Sequence, residues 1–177
     1  MRAAKTLLTV ALLGAPLAPA GAGEAAKLHA AALAGPYSTG PEVTRACLEC
    51  HEQQAREVMK TVHWTWQEPQ DVPGRGSVRL GKANLVNNFC LAVPSNWPRC
   101  TSCHVGYGWK DSSFRFDDPG LVDCLACHDT TGTYTKAPAG AGAPAPGVDL
   151  LRVAREVGAP RRAACGSCHF FGGGGDH

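Results

Sequence analysis

The chain has 177 residues and a formal net charge of only +2, from 17 lysine and arginine side chains against 15 aspartate and glutamate side chains. This near balance argues against a nucleic-acid-binding protein, which needs a strongly basic surface. Glycine (21 residues) and proline (13 residues) are frequent and aromatic residues make up 7%, so the amino acids alone offer little material for a hydrophobic core.

Residues 1–22 are typical of a secretory signal peptide. Arg2 and Lys5 form a positively charged start, residues 7–17 are apolar, and residues 20–22 form a small-residue cleavage site. The apolar run is shorter than the ~20 residues that a membrane-spanning helix needs. We therefore predict an exported, periplasmic protein with one mature domain, residues 23–177. Without Arg2 and Lys5, that domain carries 15 basic and 15 acidic side chains.

A helix is predicted near the start of this mature domain. Thr44 is a suitable N-cap, and apolar residues at three- and four-residue spacings follow it to about Thr61. A pentapeptide of the pattern C-x-x-C-H begins at Cys47, in the opening turns of this predicted helix.

The same pentapeptide occurs four times, at residues 47–51, 100–104, 124–128 and 165–169, here called motif 1 to motif 4. The pattern is the attachment site for c-type haem, whose porphyrin binds both thiols while the histidine binds iron from one face. We therefore predict four covalently attached haem c groups, held by Cys47, Cys50 and His51; Cys100, Cys103 and His104; Cys124, Cys127 and His128; and Cys165, Cys168 and His169.

Two other uses of paired cysteines fit less well. Zinc sites are built from such pairs, but zinc chemistry does not require a histidine directly after each of four pairs. A thioredoxin-like redox motif would lie near a βαβ pattern, which the sequence lacks.

The remaining segments alternate between irregular connections and short helices. Residues 67–99 and 129–147 are rich in glycine and proline and contain no long periodic run. Asp149 is a predicted N-cap for a short helix from Leu150 to Val157, which Gly158 ends. We predict a mostly α fold with extensive irregular loops, in which the haem array forms the core. The apo chain should be largely unfolded.

Four haem irons need four further axial ligands, and three histidines lie outside the motifs: His29, His63 and His177. Each could instead be an ordinary polar side chain. His63, beside two tryptophans and twelve residues beyond His51, is the strongest candidate. Three histidines leave one haem without a second histidine, and such a haem could bind substrate.

Other residue types could complete or adjoin that haem. Methionine is an alternative ligand in cytochromes c, but Met59 lies within the predicted helix. A lysine amine can bind iron once it loses its proton, and Lys136 and Lys110 are closest to the motifs. Cys90, the ninth cysteine, is either a small buried residue or a reactive thiol near a substrate site.

Three longer stretches resemble the octahaem tetrathionate reductase family of periplasmic c-type cytochromes. They are residues 87–90 with 100–111, residues 122–134, and residues 165–176, which ends in Phe-Phe-Gly-Gly-Gly-Gly-Asp. Members of that family carry eight haems, so the resemblance implies that this chain is an N-terminal half whose C-terminal half is missing. The glycine run 172–175 at the end of the chain agrees with an interruption.

The resemblance also implies an active-site haem bound by a motif histidine and a lysine, with reduction of tetrathionate, nitrite or hydroxylamine. We place this haem on motif 2, with His104 as proximal ligand, Lys136 as the lysine and Cys90 as a candidate catalytic thiol. A periplasmic or membrane electron donor, such as a quinol dehydrogenase or a cytochrome, and a small anionic substrate are the implied partners. The alternatives are a tetrahaem electron shuttle without its own catalysis and a non-functional truncated product.

Overall fold

The computed structural model describes residues 22–87 and 91–170. Short helices dominate these residues, and a single hairpin accounts for the strands. None of the described helices has both the length and the apolar character needed to cross a membrane. The α-helices are α1 (Ala22–Ala32), α2 (Gly40–Leu48), α3 (Gln54–Val58), α4 (Val62–Thr65), α5 (Trp97–Cys100), α6 (Leu125–His128), α7 (Leu150–Arg155) and α8 (Arg162–His169).

The long helix predicted from Thr44 to about Thr61 is wrong, because that stretch contains the end of α2 and the separate short helix α3. α2 begins earlier, with Thr39 as N-cap, and the Glu42 carboxylate accepts a hydrogen bond from the Thr39 backbone N–H at 3.2 Å. Thr44 is fully buried and its hydroxyl donates to the Val122 carbonyl at 2.6 Å. A threonine that reads as a cap in the sequence therefore fixes α2 against a segment 78 residues away.

Residues 67–99 are also more regular than predicted. Strands β1 (Glu68–Val72) and β2 (Gly76–Leu80) form an antiparallel hairpin in which Gln70 is opposite Val78. Gly74 and Gly76 have positive φ angles of 78° and 69°, and the prediction took these turn glycines as signs of an irregular segment. Most side chains of both strands are exposed, so the hairpin shows little of the alternating burial that sequence patterns detect.

The helix predicted after Asp149 is confirmed. α7 begins at Leu150, and the Asp149 carboxylate accepts a hydrogen bond from the Arg152 backbone N–H at 3.0 Å. The helix ends at Arg155, two residues before the predicted end.

Buried apolar side chains form three small clusters in the described part of the chain, with no single large core among them. The first joins Leu33, just after α1, to α2, α6 and α7; the second surrounds Trp64, and the third joins Trp66, Val93 and Trp109. Short helices, irregular connections and small clusters confirm the predicted fold class.

Candidate functional site

Three of the four motifs hold their histidine on a helical turn. The His51 N–H donates to the Cys47 carbonyl at 2.9 Å, and the His128 N–H donates to the Cys124 carbonyl at 3.1 Å. His169 is the last residue of α8, which contains all of motif 4. A helical turn presents the two cysteines and the histidine on neighbouring positions of one surface, as covalent attachment of a porphyrin requires.

The predicted ligand His29 lies next to the motif 1 histidine. The ring centroids of His29 and His51 are 6.3 Å apart. An imidazole nitrogen binds a metal ion at about 2.0 Å and the ring centroid lies roughly 1.1 Å behind it, so two imidazoles on opposite sides of one ion have centroids about 6–6.5 Å apart. The pair therefore fits one iron held between two histidines.

Partial burial, and then the nearby His51 ring, lower the pKa of His29. A lowered pKa favours the neutral imidazole, which is the form that binds a metal ion. Its Nδ1 atom is buried and has no hydrogen-bond partner among the described residues.

A second histidine pair joins α4 to motif 4. The ring centroids of His63 and His169 are 6.4 Å apart and the rings are nearly perpendicular, at 87°. Both residues line a cavity of about 560 Å³, which also contains the motif 4 cysteines Cys165 and Cys168. Two thiols and two opposed imidazoles in one cavity are the groups that a bis-histidine haem c needs.

Motif 3 supplies a histidine whose orientation is fixed by the backbone. Nδ1 of His128 lies 2.8 Å from the Gly158 carbonyl oxygen. When Nδ1 donates to a carbonyl, the lone pair of the imidazole is on Nε2, the usual arrangement for a metal-binding histidine. No ring contact pairs His128 with another histidine among residues 22–87 and 91–170.

Motif 2 differs from the other three motifs. His104 has an extended backbone, with φ −64° and ψ 140°, and its N–H donates to Thr101 at 3.0 Å instead of to Cys100. The side chain is 0% exposed, and its Nε2 atom lies 2.7 Å from the Trp64 carbonyl oxygen. Five aromatic side chains surround the ring with centroid distances of 4.9–6.1 Å, and we call them the aromatic cage: Trp64, Trp66, Trp109, Phe114 and Phe116.

In this geometry the His104 ring does not face a cavity, and its predicted role as an iron ligand stays a prediction. Burial in the aromatic cage lowers the pKa of His104 to about 4, so the ring is neutral at pH 7. Its Nε2–H is then the donor to Trp64, and its Nδ1 atom is buried against Gly106, where an added Cβ would lie 2.8 Å away. The imidazole is therefore enclosed by protein atoms instead of facing the cavities that contain Cys103.

Lys136 occupies one of those cavities. A space of about 340 Å³ is lined by Lys136, by Cys103 of motif 2, by Cys168 of motif 4 and by the polar side chains of Arg99 and Ser102. The Lys136 side chain is 10% exposed, and its Nζ atom donates to the His104 carbonyl. The cavity beside Cys103 is thus lined by the Lys136 amine and not by the His104 imidazole.

A buried carboxylate holds the lysine in place. Asp123 Oδ2 lies 2.9 Å from Lys136 Nζ, and its side chain is fully buried. The hydroxyls of Tyr107 and Tyr134 each donate to this carboxylate at 2.8 Å, and the Ala126 backbone N–H donates at 3.0 Å. Burial, followed by the charge of Asp123, raises the pKa of both tyrosines, so both remain protonated donors.

Asp123, Tyr107 and Tyr134 could not be recognised as a network from the sequence. All three lie in the idiosyncratic stretches around motifs 2 and 3, but nothing in their spacing shows that the chain brings them together. The pairing of Gly106 with Val122 does so, supported by a hydrogen bond from the Asp123 N–H to the Val105 carbonyl at 2.9 Å.

The positions of the other candidate residues give no support for a role in iron or substrate binding. Met59 packs beside the cluster around Trp64, as a packing residue would, and Lys110 is exposed. Cys90 and His177 lie outside the described residues, and so does the glycine run 172–175. Their roles stay predictions.

Comparisons with known proteins place this geometry in context. No family model matches the chain. The chain is similar to a solved octaheme cytochrome c from Shewanella oneidensis, with 60% identity and a TM-score of 0.78, over 81% of this chain and 33% of that protein. It is 26% identical, over 77% of its length, to an uncharacterized protein of Archaeoglobus fulgidus, of which it covers 62%. The chain thus spans about a third of the octaheme protein's length.

Proposed function

We infer that this chain, which is related to octahaem cytochrome c, is a multihaem c-type cytochrome that transfers electrons through covalently attached haem. Haem supplies an iron that cycles between the ferrous and ferric states. The observation that carries this inference is the pair of opposed imidazoles at His63 and His169, in a cavity with both motif 4 thiols. We propose four haem c groups, one for each motif.

The finer proposal is a reductase whose active-site haem is attached at Cys100 and Cys103. Lys136 would hold the iron of this haem, because the Lys136 amine shares a cavity with Cys103 while His104 is enclosed in the aromatic cage. Binding a metal ion requires the neutral amine. The Asp123 carboxylate, held by its two tyrosine donors, fixes the position of the lysine amine.

Positive side chains near Cys103 support a small anionic substrate, such as tetrathionate or nitrite. Arg99 lines the cavity that contains Lys136, and its guanidinium donates to the Pro138 carbonyl at 3.0 Å. Lys82 lines the larger cavity beside Cys103 and lies 4.5 Å from the centre of the Trp66 ring. Fixed cations of this kind stabilise negative charge that develops on a substrate oxygen.

The cellular setting is part of the proposal. The signal-peptide pattern in residues 1–22 supports export to the periplasm, where electrons would come from a quinol dehydrogenase or another cytochrome.

The first test measures the haem content of the protein. The full chain would be produced in a host with a cytochrome c maturation system and analysed by mass spectrometry. We expect the added mass of four haem groups. A product without covalently bound haem would contradict both the electron-transfer role and the reductase.

The second test compares two lysines in the haem-loaded protein. Lys136→Met removes the proposed ligand, and we expect the absorption and electron paramagnetic resonance spectra to change for one haem only. Lys110→Met removes an exposed lysine and is the matched control, with no expected change. Identical spectra for wild type and Lys136→Met would exclude Lys136 as a ligand.

A tetrahaem shuttle without catalysis remains the second candidate, and the two bis-histidine pairs favour it. Carbon monoxide binding to the reduced protein separates the candidates. A reductase should bind the gas at one haem in four, whereas a shuttle with four six-coordinate irons should not bind it.

A further inference from the structure

The hairpin presents one of its two faces to the cavity that contains His63 and His169. Glu68 lies directly opposite Leu80 in the antiparallel register, so the two side chains are on the same face of the hairpin. Gln70, two residues after Glu68 on β1, is on that face as well. All three side chains line the cavity of about 560 Å³. One face of the hairpin is therefore part of the wall of the motif 4 site.

Trp66 fixes the base of the hairpin. Its φ angle of 51°, in the left-handed region, turns the chain from α4 into β1, and the residue is only 7% exposed. The Ala83 N–H donates to the Trp66 carbonyl at 3.3 Å, and a Cβ atom added at Gly81 would collide with the same carbonyl. The Asn84 side chain accepts a hydrogen bond from the Gly81 N–H at 3.0 Å. The backbone of Lys82, between Gly81 and Ala83, is thus held at the cavity wall.

Lys82 brings a positive charge to this wall. Among the described residues that line the cavity, it is the one lysine or arginine. Its Nζ atom lies 4.5 Å from the centre of the Trp66 ring, whose face attracts an ammonium group. Lys82 forms no ion pair with another side chain of residues 22–87 and 91–170. Its charge is therefore held in position without being neutralised by a carboxylate.

Glu68 brings the opposite charge to the same wall. It is the one acidic side chain that lines this cavity in the described part of the chain, and it forms no ion pair there. Both residues are exposed, but of the two only Lys82 has its charged group resting on a buried aromatic ring. Water and salt screen a freely exposed charge more strongly than one held against the protein. We therefore expect Lys82 to act more strongly than Glu68 on a group inside the cavity.

From this arrangement we propose that the hairpin sets the reduction potential of the motif 4 haem, with Lys82 raising it and Glu68 lowering it to a smaller extent. The proposal rests on the multihaem function proposed above and adds how the chain tunes one of its sites. A ferric iron carries one more positive charge than a ferrous iron, so a nearby ammonium group disfavours the ferric state. The electron comes from the donor proposed above, and no bond forms or breaks.

The size of the cavity limits the distance over which these charges act. A space of about 560 Å³ is roughly 10 Å across, so a charge on its wall lies within about that distance of a group inside it. Over this distance a unit charge changes the equilibrium constant between the ferrous and ferric states by roughly two- to fifteenfold, depending on the effective dielectric constant. For a one-electron couple, a tenfold change corresponds to about 59 mV.

The experiment is a redox titration of the haem-loaded protein, followed by nuclear magnetic resonance of the haem methyl groups. His63→Gln identifies the signals of the motif 4 haem, because it removes the proposed ligand of that haem. In Lys82→Met we expect the potential of this haem to fall within the range given above. Arg75→Met is the matched control, because it removes a cation from the turn of the same hairpin, outside the cavity lining. An equal shift in Arg75→Met, or an unchanged potential in Lys82→Met, would overturn the proposal.

Glu68 provides an independent test that does not require Lys82→Met to mature. Glu68→Gln should raise the potential of the motif 4 haem, whereas Asp71→Asn, on the opposite face of β1, should change it less. A lower potential in Glu68→Gln would contradict the proposal.

Two further features of the design separate the possible causes of a shift. Lys82→Arg keeps the charge and should keep the wild-type potential, and a loss equal to that of Lys82→Met would count against the charge as the cause. The titrations contain no tetrathionate or nitrite, so a shift reports the charge near the haem and not substrate binding. A protein lacking covalent haem would instead contradict the proposed function, so the two failures are distinguishable.

Discussion

Motif 4 and motif 2 have the same pentapeptide pattern, yet their histidines end in opposite environments. His169 is exposed at the end of α8 and faces His63 across a cavity, whereas His104 is 0% exposed and enclosed by aromatic rings. The backbone differs as well, because motif 4 stays helical through its histidine and motif 2 leaves the helix before it. A motif therefore specifies where the porphyrin is attached, and the surroundings specify which side chain can bind its iron.

The residues after each motif explain the difference. Motif 2 is followed by Val105, Gly106 and Tyr107, and the chain there pairs with residues 121–123. At Gly106 a Cβ atom would lie 2.6 Å from the Trp64 ring, so only glycine lets the chain pass this close to the cage. This close approach draws His104 inward and leaves Lys136 beside Cys103.

The largest expected effect is the difference between the haem spectra of two variants, His63→Gln and His104→Gln. His63→Gln removes a proposed iron ligand and should change the spectrum of one haem completely. His104→Gln should leave the spectra of all haems as they are, because a glutamine amide can still donate to the Trp64 carbonyl. A changed haem spectrum in His104→Gln would show that His104 binds iron, as His63 is proposed to do.

Substituting Trp64 of the aromatic cage should have a smaller effect, and that effect should be on the stability of the protein. Trp64 is 1% exposed, contacts His104, and donates its Nε1–H to the Phe116 carbonyl at 3.0 Å. Trp64→Ala should lower the free energy of unfolding of the haem-loaded protein by about 3–5 kcal/mol. Trp64→Phe keeps most of the packing and should lose about 1 kcal/mol. Denaturant unfolding checks both values, and equal losses would contradict a role in packing.

The pH dependence of stability tests the burial of His104. Its pKa is about 4 in the folded chain and about 6.5 in the unfolded chain, so only the unfolded state gains a proton between these values. Stability should be unaffected by His104 above about pH 6.5. It should fall by on the order of 3 kcal/mol as the pH drops to about 4, and change no further below that.

The control for this prediction is His104→Gln, which lacks the titrating group and retains the others. The difference between the two unfolding free energies should shift across this window. If the difference stays constant between pH 7 and pH 4, His104 is not held neutral by burial.

Features that depend on short spacings could be predicted, and features that depend on distant contacts could not. The four attachment motifs, the helix that begins at Leu150 and the candidates His29 and His63 were all identifiable in the sequence, because each depends on short spacings or on residue type. The prediction that a helix begins at Thr44 was wrong because the Thr44 hydroxyl has a distant partner, the Val122 carbonyl. No local pattern contains that information.

By itself, the sequence was enough to predict four haem attachment sites and their cysteines, since two thiols and a histidine within five residues suffice for that chemistry. Only the tertiary structure decided that His104 is enclosed and that Lys136 and Asp123 meet beside Cys103. The physical reason is that burial and long-range pairing bring together residues far apart in the chain, and these contacts select the side chains left free to bind iron.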